Sequence, residues 1–254
     1  MRLVTLGSRE LSCRLETRGV PVPKAATDTI DVTTTRADGP WRVDALHLDT
    51  VHYPEGHPRA GEFGPVCAYL LTSGASRVLV DTGIGPPHEA IDRWYEPERA
   101  DLVSVLAKTH DIVPSDIGAV VLTHLHFDHV GGAQQFAGTP LYVQQAEWAA
   151  AQAEKYTIAE WLTFPGANFV MVSGNAELFP GLRVALTADH TPGHQVVIVT
   201  TRDGVAVLAG QSVETCAELE SMISSGNLST GAAQMLVPAP IRVYFSHDHR
   251  VWEG

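Results

Sequence analysis

Residues 41–51, WRVDALHLDTV, alternate apolar and polar side chains, the period-two pattern of a half-buried strand. After the Gly- and Pro-rich loop YPEGHPRAGEFGP, two apolar runs, CAYLLT and RVLVD, flank SGAS and read as a β-hairpin. Apolar positions then recur at helical spacing through PERADLVSVLAKTH, with Pro97 near the start of the predicted helix. IGAVVLT is a short buried strand, and the pair Gly131-Gly132 precedes a predicted helix. LYVQ reads as a strand followed by an Ala-rich helix, AEWAAAQAEKY. The second half repeats the sheet theme in NFVMVS, LRVALTA, QVVIVTT and VAVLAG, then a helical stretch over roughly 214–236 and a last strand, IRVYFSH. Two strand sets interleaved with helices predict an α/β fold of four layers, two sheets inside and helices outside, an αββα sandwich.

Residues 1–40 break this pattern. They are rich in Thr, Pro, Arg and Asp without sustained periodicity, and read as an N-terminal extension ahead of a domain at 41–254. An extension of this kind leaves a homodimer open.

Composition narrows the function. Of 254 residues, 44% are apolar and 18% charged, the balance of a globular chain. Lys and Arg number 17 against 29 Asp and Glu, a net charge of −12, so the basic footprint needed for nucleic acid or an anionic membrane is missing. No run approaches the roughly 18 apolar residues of a membrane span, and the first 19 residues lack the apolar core of a signal peptide. The expectation is a soluble, cytoplasmic protein. Cys13, Cys67 and Cys216 form neither a CxxC pair nor a disulfide framework, and read as reduced thiols in the core or at the surface.

The chemistry concentrates in Thr123-His124-Leu125-His126-Phe127-Asp128-His129, directly after the strand AVVL. His124 and His126 are two apart, so extended backbone sends both imidazoles to one side. Imidazole suits zinc, and also iron, cobalt or manganese. Once the chain bends, Asp128 and His129 turn away from that pair and are free to serve a second metal beside the first.

The run THLHFDHVGG resembles the HxHxDH signature of the metallo-β-lactamase superfamily. Asp81-Thr82-Gly83, the segment HTPGHQ headed by His190, and His247 in YFSHDH resemble the family's other landmarks, in family order over about residues 41–249. Within the superfamily, PVCAYLL, RVLVDTG, LTHLHFDHVGG, TPLYVQQAEW and HTPGHQ are most similar to the quorum-quenching N-acyl homoserine lactone lactonases. The resemblance implies a first metal site of His124, His126 and His190, and a second of Asp128, His129 and His247. It implies one or two zinc ions per chain, Asp128 as the catalytic carboxylate, and a metal-bound hydroxide that opens a lactone or cleaves an ester. Asp81 would orient a ligand imidazole. His194 competes with His190 for the third-ligand position and otherwise falls behind or beside the metals. Trp161, Phe164 and Glu214 are candidates for the substrate pocket. His47, His52, His57, His88, His110 and His249 carry no motif and read as surface residues.

The resemblance breaks at one position. The family's bridging Asp, at the end of the strand after the third histidine, is replaced by Gln211, and Glu214 lies close to the slot of a lactonase tyrosine. A neutral amide bridges two cations less well than a carboxylate, so weaker retention of the second metal is expected. The break keeps two further readings open: a thioesterase or tailoring enzyme of secondary metabolism, and a metal-binding pseudoenzyme.

Overall fold

The computed structural model describes residues 39–254; the extension expected over residues 1–40 lies almost wholly outside the described residues. The first sheet runs in chain order through β1 (Arg42–His52), β2 (Phe63–Ser73), β3 (Ser76–Val80), β4 (Ala119–Val121), β5 (Leu141–Gln144) and β6 (Phe169–Val172). Its first three strands are antiparallel and its last four parallel. The second sheet holds β7 (Ala176–Phe179), β8 (Leu182–Leu186), β9 (Gln195–Thr200), β10 (Val205–Leu208), β11 (Arg242–Phe245) and β12 (Asp248–Glu253) as consecutive neighbours, with only β10 and β11 parallel.

Strand alternation explains the layers. In β3, Val78 and Val80 point between the sheets while Leu79 points outward, and all three are fully buried. In β9, Val197 and Val199 face inward and Val196 outward. A strand apolar on both faces needs cover on both sides. Helix α2 (Leu102–His110) and α4 (Gln145–Ala150) cover the first sheet through Leu102, Leu106 and Trp148. Helices α5 (Cys216–Ser225) and α6 (Thr230–Leu236) cover the second through Leu219 and Met235. The four-layer αββα sandwich expected from the sequence is the observed fold.

Local departures have local causes. The helical stretch at 214–236 is two helices, because Gly226 ends α5 in the left-handed conformation (φ 71) and Ser229 caps α6. The 84–100 connector contains a short helix, α1 (Glu89–Tyr95). After Gly131-Gly132 there is only a 3-10 turn, and the helical turn α3 (Phe127–Val130) sits inside the His-rich motif itself. Strands β7 and β12 were not predicted; they are edge strands, and exposed edges carry polar side chains that hide the strand period. None of the helices among the described residues is long and apolar enough to cross a membrane.

A bulge in β1 between His47 and Asp49 turns Asp49 inward. Its two oxygens accept from Ile84 N (2.7 Å) and Ala100 N (2.8 Å), fixing the loop that leaves Asp81. Asp49→Ala leaves both N–H groups without their partner, at about 1–3 kcal/mol each. The expected result is a loss of about 2–4 kcal/mol in urea unfolding; an unchanged midpoint would show that the loop finds other acceptors.

Candidate metal centre

The strand β4 ends in a buried, extended run that carries His124 and His126, and His126 begins the single turn α3. That turn is closed by His129 N and Val130 N donating to His126 O, which swings Asp128 and His129 to the other side. His190 arrives from the loop between β8 and β9, and His247 from the tight turn between β11 and β12. Two adjacent donor sets result: His124, His126 and His190, and Asp128, His129 and His247. The rings of His124 and His129 are 4.0 Å apart, so the sets share a wall.

In the first set, His124 Nε2 and His190 Nε2 lie 3.1 and 3.2 Å from His126 Nδ1. Tetrahedral zinc with nitrogens at its usual distance spaces them by about 3.3 Å. Burial, reinforced by the neighbouring imidazoles, pushes His124 well below its ordinary value. The same two causes bring His190 down to about 3. All of these rings are neutral at pH 7, the form that ligates a metal.

In the second set, each imidazole has one nitrogen held and one free. His129 Nδ1 is 2.8 Å from Asp81 Oδ2, and His247 Nδ1 donates to Pro65 O at 2.9 Å. The opposite Nε2 atoms are buried without a hydrogen-bond partner, and each looks towards Asp128 Oδ2, at 3.7 and 3.5 Å. Buried polar atoms without partners are costly. A cation between them and Asp128 would satisfy all three, so these residues fit a metal. Asp81 itself is fixed by Thr123 N and Thr123 Oγ1, both at 2.8 Å, and adopts φ 60 at the end of β3.

The charges in the second set differ from those in the first. Burial opposes the His129 imidazolium, but Asp128 and Asp81 outweigh it and raise His129 to about 9. Burial likewise works against the Asp128 carboxylate, yet His129, His247 and His126 hold it below its ordinary value. An ion entering the second set must therefore expel the His129 proton. Its apparent affinity is expected to rise about tenfold per pH unit up to about pH 9, or about a hundredfold from pH 7 to 9. The first set loads without that dependence. Metal titrations at pH 7, 8 and 9 read this directly, and a second step that does not move with pH would contradict it.

His194 is not part of either set. Its Nδ1 pairs with Thr187 Oγ1 at 2.7 Å and its Nε2 accepts from Gln211 N at 2.9 Å, so both nitrogens are used. Gln211 faces the second set: its side chain adds to the groups that favour His129 protonation, and its buried Oε1 has no hydrogen-bond partner.

A family model, described as the metallo-beta-lactamase superfamily, matches residues 61–252. The chain belongs to the metallo-β-lactamase superfamily. An N-acyl homoserine lactonase of Bacillus cereus is 28% identical over 206 residues, 72% of this chain and 81% of that protein. A second, from Bacillus sp, is 33% identical over 160 residues, 57% of this chain and 62% of its own length. Among solved structures, an N-acyl homoserine lactone hydrolase with the product N-hexanoyl-L-homoserine bound at its catalytic metal centre superposes with a TM-score of 0.67. It is 25% identical, over 83% of this chain and 93% of that one.

Beside this superfamily centre lies a cleft of about 700 Å³, bounded by His190, Gln211, Pro58, Arg59, Glu214 and Met222. Glu214, a sequence candidate, lines it, and its Oε2 is 3.8 Å from Arg59 Nη1. Trp161 and Phe164 do not. Trp161 is 4% exposed and packs with Val51, Tyr53 and Ile84, while Phe164 lies on the outer core beside Phe169. The expectation that these two rings line the substrate pocket is not met at this cleft, because both are taken up by apolar packing instead.

Sequence reasoning missed Glu147. It is fully buried on α4 and accepts from Leu125 N (2.8 Å), Thr191 Oγ1 (2.6 Å), Gly193 N (3.2 Å) and Tyr156 Oη. It thus ties the loop of His124 and His126 to the loop of His190. The one available signal was a Glu beside Trp148 on the inward face of an Ala-rich helix.

Proposed function

We propose that this chain hydrolyses N-acyl homoserine lactones, with His124, His126 and His190 holding one divalent metal and Asp128, His129 and His247 a second. The observation that carries the reading is the pair of buried, unpartnered Nε2 atoms of His129 and His247 aimed at Asp128, beside three neutral imidazoles and an open cleft. The lactonase relatives support it. Zinc suits the imidazole-rich donors, and such ions supply Lewis acidity that polarises a carbonyl and acidifies water.

The protein's own residues do the rest. Asp128, ionised at neutral pH, accepts a hydrogen bond from the attacking water, orienting it and taking its proton. The water oxygen bonds to the lactone carbonyl carbon, the ring C–O bond breaks, and Asp128 returns the proton to the leaving alkoxide. The product is a hydroxy acid. Glu62, Asp189, Glu214 and Glu218 face the same cleft against Arg59, a wall that suits a neutral lactone and repels the carboxylate product. Two free, buried thiols, Cys67 and Cys216, are in keeping with a reducing compartment such as the cytoplasm.

The test is metal content per chain together with turnover of N-hexanoyl homoserine lactone, followed by acid release. At least two metals per chain and lactone turnover that falls with chelation are expected. Full metal occupancy with thioester turnover and no lactone turnover would replace this reading. Gln211→Asp places a carboxylate next to His129 and is expected to tighten the second metal by about tenfold, roughly 1.4 kcal/mol. Unchanged affinity in a metal titration would mean that position 211 contributes nothing to metal retention.

A further inference from the structure

A third group of metal-ligating side chains stands outside the centre described above. His47 on β1, Cys67 on β2 and His249 on β12 each offer one donor atom, and the three atoms lie within 4.8 Å of one another. Their positions follow from the strand pairing. His47 and Cys67 are direct cross-strand partners, at the place where the β1 bulge begins. Cys67 N donates to Ser246 O at 2.9 Å, which brings the start of β12 against β2. His249 then reaches His47, with ring centroids 4.2 Å apart and planes inclined by 65°.

We infer that His47, Cys67 and His249 form a binding site for a transition-metal ion of the zinc class, which would pin the first sheet's edge to the second sheet's edge. The separation of Cys67 Sγ from His47 Nδ1 is 3.7 Å. A tetrahedral zinc ion with one thiolate and one imidazole spaces those atoms by about 3.6 Å. Cys67 is 1% exposed and fixed by its strand, whereas both histidines are exposed, so their rings are free to turn onto the ion while water takes the fourth position. A thiolate with imidazoles selects zinc, cobalt or copper over magnesium or calcium. On binding, the Cys67 thiol gives its proton to solvent and the sulfur becomes the ligand. The hydrolytic mechanism uses none of these three residues.

Sulfur makes the site separable from the hydrolytic centre, whose two donor sets contain only nitrogen and oxygen. Cobalt(II) titrated into the metal-free full chain, under a phosphine reductant, is expected to give a near-ultraviolet thiolate-to-cobalt charge-transfer band whose saturated amplitude corresponds to one thiolate-bound cobalt per chain. Cys67→Ser should abolish the band and lower zinc content from three per chain to two. The exposed His249→Ala, which leaves the buried strand untouched, should weaken the band's cobalt affinity by tenfold or more. His190→Ala should keep the band while losing lactone turnover. A saturated protein without the band, or a band that survives in Cys67→Ser, would overturn the inference. Neither result bears on lactone hydrolysis.

Discussion

Asp128→Asn is expected to lower lactone turnover by about 10²–10⁴. The amide has the same shape but carries no charge and cannot accept the proton from water. It also removes the only carboxylate among the six proposed ligands, so His129 and His247 would share their ion with a neutral oxygen. The two consequences separate in one experiment. Measured at saturating zinc, kcat should stay low even when elemental analysis shows the second metal restored. Recovery of activity with metal alone would reduce Asp128 to a ligand, and activity within tenfold of the wild type would remove it from the mechanism.

Glu147→Ala is expected to be the most damaging change to the folded state that touches no proposed ligand. Two buried backbone donors, Leu125 N and Gly193 N, lose their acceptor, and so do Thr191 and Tyr156. Unpaired buried N–H groups cost about 1–3 kcal/mol each, and the vacated space adds to this, for a total of about 3–6 kcal/mol. For a domain of this size that corresponds to a fall in Tm of about 10 °C or more. The His190 loop has little room to settle elsewhere, because a Cβ on Gly193 would already lie 2.0 Å from Glu147 N. Zinc content should therefore fall together with stability. Glu147→Gln keeps one acceptor oxygen and should lie between the two proteins. A Glu147→Ala protein with wild-type Tm and wild-type metal content would show that the loops hold themselves.

The superfamily resemblance was legible because its chemistry is local. His124, His126, Asp128 and His129 fall within one strand end and one helical turn, so spacing alone placed them on two sides of a bend. The sandwich was legible for a similar reason, since Val78, Leu79 and Val80, or Val196 and Val197, are apolar on both strand faces and can only be buried between layers. Position 211 was legible as a break in the pattern, and the fold adds that it faces His129.

Other assignments needed the third dimension. His190 and His194 sit in the same short segment, and only hydrogen bonding tells them apart: Thr187 and Gln211 N consume both nitrogens of His194, while His190 Nε2 meets His126. Trp161 and Phe164 were pocket candidates on sequence, and only packing placed them in the core. Glu147 was invisible because its donors come from residues 125, 156, 191 and 193, which no periodicity connects. His47, Cys67 and His249 were dismissed one by one, since their proximity exists only where β1, β2 and β12 meet. The sequence by itself determined the layers and the candidate ligands that lie close along the chain, through short-range stereochemistry and side-chain period. Tertiary structure decided every role that depends on which distant polar atoms share a buried space, because burial makes each of those atoms find a partner.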